Sequence, residues 1–175
     1  MVWGNREEDF EYIYERNFSL LMRVLVRMTA NAAAAEDICQ EAFVKFHRRT
    51  EGFNSPEEAK FWLIRVAKNL ALNHEKRKQR ESKAYRKFSH EPPRRQESGE
   101  EAYITKETSR QVEEALGLLP PKLREALVLK EYGDLPYKEI AAILKISEGN
   151  VKVRVFRARE RLAAFFNDSE EMNVS

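Results

Sequence analysis

A chain of 175 residues carrying 31 Lys and Arg against 29 Asp and Glu is nearly neutral, so only the distribution of its charge is informative about partners. One cysteine, Cys39, excludes an internal disulfide, and one thiol with three scattered histidines has no metal-ligand spacing, so neither a metal nor a cofactor is expected. The start, MVWGNREEDF, lacks the basic end and apolar stretch of a secretory leader, and no apolar run reaches bilayer length, so a cytoplasmic protein is expected.

Gly and Pro are sparse, at six each, and apolar residues recur at helical rather than alternating spacing, which predicts an all-α protein. From Phe10 to Met28 the residues Phe10, Ile13, Tyr14, Phe18, Leu21, Leu25 and Met28 form one apolar stripe, with Arg23 and Arg27 off it. Asn31 to Ala35 reads as a break, and Glu36-Asp37 as the acidic opening of a second helix. That helix, AEDICQEAFVKFHRR, turns Ile38, Cys39, Ala42, Phe43 and Phe46 inward and leaves Asp37, Gln40, Glu41 and Lys45 outside. Cys39 reads as a small core hydrophobe, because no basic partner is placed to activate it.

Gly52 and Pro56 bracket the loop FNSPEEA, which leads into a long helix from about Lys60 to Arg80. Phe61, Trp62, Leu63, Val66 and Leu70 make its inner face, while Arg65, Asn69, Asn73 and Lys76 gather on another. Two asparagines one turn apart are poor helix formers, so packing does not explain them; hydrogen bonding to bases or sugars would. The helix runs into HEKRKQR, and residues 73 to 95 hold nine Lys and Arg against three Glu, a stretch suited to following a polyanion. SHEPPRRQESGEE has no apolar period and reads as a flexible linker.

Order resumes with Val112, Ala115, Leu116 and Leu119, stops at Pro120-Pro121, and returns from Lys122 to Tyr132 with Leu123, Leu127 and Val128 inward. Gly133-Asp134 turns the chain into LPYKEIAAILKISEGNVKVRVFRARERL. There Tyr137 to Leu144 is a short helix, Lys145-Ile146-Ser147 a tight turn with Ser147 as cap, and a basic helix follows. Val151, Val155, Ala158 and Leu162 share its core face; Lys152, Val153, Phe156, Arg157 and Glu160 lie opposite, flanked by Arg154, Arg159 and Arg161. Helix, turn and basic helix is the arrangement that places a recognition helix in the DNA major groove, and an exposed Phe156 suits a thymine methyl or base edge. After Phe166 the polar tail is expected to fray.

In order and spacing, AEDICQEAFVKFHRR, FNSPEEAKFWLIRVAKNLALNHEKRKQR, LPPKLREALVLKEYGDLPYKEIAAIL and SEGNVKVRVFRARERL resemble a bacterial RNA polymerase sigma factor of the sigma-70 family. The resemblance is to the small extracytoplasmic-function group, which keeps only regions two and four. It implies two small helical domains joined by a flexible linker, the second containing the helix-turn-helix: region two over 1–81, linker 82–109, region four 110–168, disordered tail 169–175. It further implies that Asp37, Gln40, Glu41 and Lys45 meet the beta-prime clamp helices of core polymerase, with the beta flap as a further contact. Phe53, Asn54, Arg65, Asn69, Asn73 and Lys76 would melt and read the minus-ten element; Lys152, Val153, Arg154, Phe156, Arg157 and Arg159 would read the minus-thirty-five element. Val153 and Asn150 depart from the small hydroxyl and threonine common in relatives, which bears on the upstream sequence preferred.

The resemblance also implies a non-enzymatic initiation subunit with core polymerase, promoter DNA and an anti-sigma factor as partners, and no small-molecule substrate. On a flexible tether its two reading heads should bind duplex DNA poorly without polymerase. A stand-alone helix-turn-helix regulator with an N-terminal sensing or dimerising domain is the competing reading, and it leaves Asn69, Asn73 and the acidic helix unexplained. An enzyme is disfavoured by the absence of a phosphate loop, a nucleophile with a placed base, or metal spacing; His47, His74 and His90 read as surface residues.

Overall fold

In a computed structural model, residues 3–4, 6–88 and 103–173 are described, the side chains of 103–108 and 169–173 excepted. They form seven helices: α1 (Glu7–Thr29), α2 (Ala32–His47), α3 (Pro56–Phe88), α4 (Tyr103–Leu118), α5 (Pro121–Glu131), α6 (Tyr137–Leu144) and α7 (Glu148–Asn173). An isolated antiparallel pairing joins Trp3 to Phe53. No helix among the described residues is long and apolar enough to cross a membrane.

The helix boundaries follow local chemistry. Glu7, Glu8 and Asp9 occupy the first turn of α1, at the positive end of its dipole. The break expected over 31–35 is only Ala30 and Asn31, and the Asn31 side chain accepts from the Ala34 amide at 2.9 Å; the alanines from Ala32 on, strong helix formers, belong to α2 itself. Helix α3 starts at Pro56, a residue without an amide hydrogen to leave unpaired, and Ser55 Oγ accepts from the Glu58 amide at 3.1 Å. It then runs to Phe88, into the stretch expected as linker, with an Arg77–Glu81 pair one turn apart along the way. The rest of that linker is in part outside the described residues, as is His90, and α4 already begins at Tyr103. The tail expected to be disordered continues α7 as far as Asn173; residues 174–175 lie outside the described residues.

Ile13, Leu21, Leu25, Cys39, Phe46, Leu63 and Ile64 are each at most 1% exposed and make the centre of an α1–α2–α3 bundle. Leu116, Val128, Leu129, Ile140, Ile143, Val151, Val155 and Ala158 do the same for α4–α7. At about 1.5–3 kcal/mol for each large apolar side chain buried, both bundles have cores of their own. The two helical bundles anticipated from the sequence are therefore present, and an interface that the sequence did not foretell docks one on the other.

Three helix ends in the second bundle are closed by arginines. The last carbonyls of any helix lack an intrahelical donor, and a cation suits the negative end of the dipole. Arg65 of α3 donates to the carbonyl oxygens of Ala142 (2.9 Å) and Ile143 (2.8 Å) at the end of α6. Arg23 of α1 donates to the Tyr132 carbonyl at 3.1 Å, just past α5, and Arg27 lies 4.7 Å over the Tyr132 ring. Arg124 closes α4 from inside the second bundle, donating to the Gly117 (3.1 Å) and Leu119 (3.3 Å) carbonyls. Beside these caps, Lys60 pairs with Glu139 at 2.8 Å, and Lys68 with Glu125 at 3.0 Å. Arg154 of α7 also reaches Glu125, at 3.5 Å, so one buried carboxylate answers two cations from different bundles.

Gly133 marks the corner between α5 and α6, because a Cβ there would lie 2.5 Å from the Leu129 carbonyl oxygen. That oxygen is backbone and accepts from the Leu135 amide at 3.4 Å, so it cannot swing aside as the end of a flexible side chain would. Gly133→Ala should therefore lower stability by about 2 kcal/mol or more, read from chemical denaturation of the whole chain.

Candidate nucleic-acid interface

Helix α6 ends at Lys145, in the left-handed region at φ 55°, and the Ile146 amide donates to the Ala141 carbonyl at 3.1 Å. The chain then turns sharply, and Ser147 Oγ accepts from the Asn150 amide at 3.1 Å to start α7. Val151, Val155 and Ala158 are buried against α5 and α6. That fixes the rotation of α7 and sends Lys152, Val153, Phe156 and Arg157 outward. Val153 is 46% and Phe156 62% exposed, so together they set apolar surface among the cations of this face.

The other two upstream candidates stand differently. Arg154 is largely buried, donating to Asn150 Oδ1 at 3.0 Å and pairing with Glu125. Arg159 is exposed but donates to the Glu131 carboxylate, which raises its pKa further above the usual value. Neither guanidinium is presented as an open phosphate contact, because each is already answered by a carboxylate of α5. The departure noted at Asn150 has a structural counterpart here: its side chain orients Arg154.

On the first bundle, Asn69, Asn73 and Lys76 are exposed along α3. Arg65 does not join them; it is half-buried under α6, and burial lowers its pKa from the usual arginine value. Phe53 is a second correction. Expected at a base, it is 5% exposed, stacked on Phe46 at 5.6 Å, beside Trp62 at 5.8 Å and under the Arg49 guanidinium at 4.8 Å. Asn54, beside it, is exposed, with its amide and Nδ2 both donating to Glu58 Oε2, at 2.8 and 3.0 Å. Asp37, Gln40, Glu41 and Lys45 are all exposed on α2 as expected, with Lys45 and Glu41 3.5 Å apart. A crevice of about 400 Å³ between α2 and α3 is lined by Asp37, Glu41, Asn73 and Arg77 among others, so the acidic face of α2 adjoins the polar face of α3.

Two family models match these bundles: Sigma-70 region 2 over residues 13–81, and Sigma-70, region 4 over residues 109–162. The RNA polymerase sigma-H factor of Pseudomonas aeruginosa is 32% identical over 151 residues, covering 81% of this chain and 78% of the relative. The chain belongs to the sigma-70 family of RNA polymerase sigma factors. Within it the chain falls in the extracytoplasmic-function (ECF) group: the ECF RNA polymerase sigma factor SigW of Bacillus subtilis is 30% identical over 156 residues, 85% of this chain and 83% of the relative. The fold agrees. The sigma factor RpoE of Bartonella quintana, solved with the anti-sigma factor NepR, superposes with a TM-score of 0.67 at 22% identity, covering 91% of this chain and 98% of that one. CnrH, solved with the cytosolic domain of CnrY, gives 0.68 at 22% identity, over 93% and 90%. Helices α6 and α7 thus form the helix-turn-helix of region 4, and most of α1–α3 falls in the segment matched to region 2. Sigma factors are transcription initiation factors rather than enzymes.

Sequence reasoning missed Arg124 and Glu125, both buried, because a charged pair inside an amphipathic helix looks like solvated surface. It also missed the capping arginine Arg23; its place off the apolar stripe of α1 was the only signal. Cys39, fully buried behind the acidic face of region 2, has its thiol pushed up to about 11, chiefly by burial and next by the Glu36 carboxylate. At pH 8 its alkylation in the native sigma factor should be at least about a hundredfold slower than in the urea-unfolded chain, followed by mass spectrometry.

Proposed function

We propose that this sigma factor acts in the cytoplasm, binds core RNA polymerase, directs it to a specific set of promoters and helps to melt their minus-ten region. Residues 1–81 serve as the region 2 domain, 82–109 as the connection and 110–168 as the region 4 domain. The observation that carries this reading is the outward face of α7: Lys152, Val153, Phe156 and Arg157 are exposed together while the opposite face is locked in the core. A long basic side chain can bond guanine edges bidentately, and an apolar one can meet a thymine methyl. Asn69, Asn73 and Lys76, with Asn54, supply hydrogen-bonding groups for unpaired bases on region 2, where taking a base out of the stack costs a few kcal/mol. Asp37, Gln40, Glu41 and Lys45 form the surface for the beta-prime clamp helices, and region 4 carries the contact with the beta flap.

Docking of region 4 on region 2 bears directly on this mechanism. Arg65 can reach promoter DNA only after the α6 carbonyls release it, so the isolated chain is a poor DNA binder by occlusion. Core polymerase, engaging both regions, separates them. An anti-sigma factor that held them together would act as an inhibitor; the solved neighbours bound to NepR and to CnrY support such a partner.

Mixing the purified chain with core enzyme should give promoter-dependent run-off transcript; no transcript, together with a duplex shifted by the chain alone, would favour a stand-alone regulator. Arg157→Ala should cost about 1–3 kcal/mol of discrimination at one step of the upstream element, measured by holoenzyme binding to single-base variants. Asn69→Ala should slow promoter opening, read by permanganate footprinting, while core affinity measured by fluorescence anisotropy stays the same; equal loss of both would make Asn69 a fold residue.

A further inference from the structure

The residues ahead of the matched region 2 segment are not idle. Trp3 and Phe53 exchange both backbone hydrogen bonds, the Trp3 amide donating to the Phe53 carbonyl at 2.8 Å and the Phe53 amide to the Trp3 carbonyl at 2.6 Å. This two-residue strap is tied in turn to α1. The Gly4 amide donates to Asp9 Oδ2 at 3.0 Å, and Arg6 grips the same carboxylate through Nε at 3.3 Å and Nη2 at 3.1 Å. Asp9 is only 4% exposed, a carboxylate on the buried face of α1 in line with Ile13, Asn17 and Leu21. Burial alone would raise its pKa, but the Arg6 guanidinium and the Gly4 amide outweigh it and hold the carboxyl below its usual 3.8. The tie is therefore intact at neutral pH and is lost only as pH falls below the carboxylate range.

Gly4 sits at φ 100°, in backbone space that side chains avoid, and a Cβ there would come 3.0 Å from the Phe53 ring. The Trp3 indole packs edge-on to Tyr12 at 5.9 Å, which seats the strap on α1. On the far side of the loop, Glu58 holds the Asn54 amide and side chain. Loop 52–55 is thus clamped between the strap and the first turn of α3, and a short loop would otherwise lose its shape freely.

We propose that the Trp3–Gly4 strap, anchored by Asp9, is a positioning element for minus-ten recognition: it fixes the loop that presents Asn54, so residues outside the family's matched segment set base preference in the downstream element. The strap touches no base. It acts by holding Phe53 in the core, which leaves Asn54 one orientation in place of several, and positional errors of an ångström are costly where contacts must meet a flipped base. This proposal rests on the reading that the 53–54 loop meets the minus-ten element.

Holoenzyme reconstituted with the full chain would be assayed on a library randomised across the minus-ten element, with Asn54→Ala, Trp3→Ala, Trp3→Phe and Gly4→Ala beside the parent. Both Asn54→Ala and Trp3→Ala should flatten base preference by about tenfold, while core affinity and upstream preference stay within about twofold. Trp3→Phe, which keeps an aromatic against Tyr12, should restore it. Gly4→Ala, a single methyl pressed on Phe53, should reproduce Trp3→Ala and stands in for it if that variant folds poorly. If Asn54→Ala flattens the profile and both strap variants leave it intact, the strap proposal is overturned and the loop reading survives. If Asn54→Ala leaves the profile unchanged, the loop reading falls and takes the proposal with it. Parallel loss of core affinity, upstream preference and thermal stability in the strap variants would reduce the strap to a fold element and overturn the proposal.

Discussion

Arginine at the ends of helices is the constraint on which the arrangement of this sigma factor depends. Short helices such as α5 and α6 leave a large share of their carbonyls without intrahelical partners, and those groups cannot be buried bare. Region 4 has its own cap for α4, Arg124, but the ends of α5 and α6 are completed from region 2 by Arg23 and Arg65. The interface between the regions is built on the same chemistry that finishes a helix, with directional bonds at set distances, which is why docking is specific rather than a loose apolar association.

The same choice creates a conflict with DNA binding. A guanidinium suits a carbonyl pair and a phosphate or base edge equally well, so a cation engaged in docking is unavailable for promoter contact. Arg65, proposed above as a minus-ten contact, is engaged in docking in this way, and Lys60 and Lys68 are held across the same interface by Glu139 and Glu125. Glu125 has a further role, since Lys68 reaches it from region 2 and Arg154 from α7, so the interface and the recognition helix share one carboxylate. A buried carboxylate with two cations loses much when one leaves, because the remaining charges stay poorly solvated. Separation of the regions would therefore be felt on α7 as well as on α3.

Region 2 shows the complementary principle, in which an exposed loop is shaped by what lies behind it. Phe46, Phe53 and Trp62 form an aromatic floor with Arg49 across it, so the loop above presents a small polar side chain while its large one packs inward. On α7 the division is reversed: Val153 and Phe156 are turned outward although each is apolar enough to be core. Phe53 thus serves structure and Phe156 exposure, according to which face of the loop or helix each occupies.

Periodicity alone determined most of the helical plan. The inward faces of α2 and α7 and the outward set Lys152, Val153, Phe156 and Arg157 were legible because burial imposes a 3.6-residue repeat that survives in one dimension. The ordered motifs carried the family. Helix ends were less legible: one asparagine cap shifted the start of α2, and charged helix formers carried α3 and α7 past their expected limits. What only the tertiary structure decided was the use made of each charge. Arg65 and Asn69 look alike on a helical wheel, and so do Arg154 and Arg157; a carbonyl or carboxylate on another helix, far away in sequence, engages the first of each pair and leaves the second open. Side-chain type and spacing state what a residue can bond, and only the packing of distant helices settles which partner arrives first.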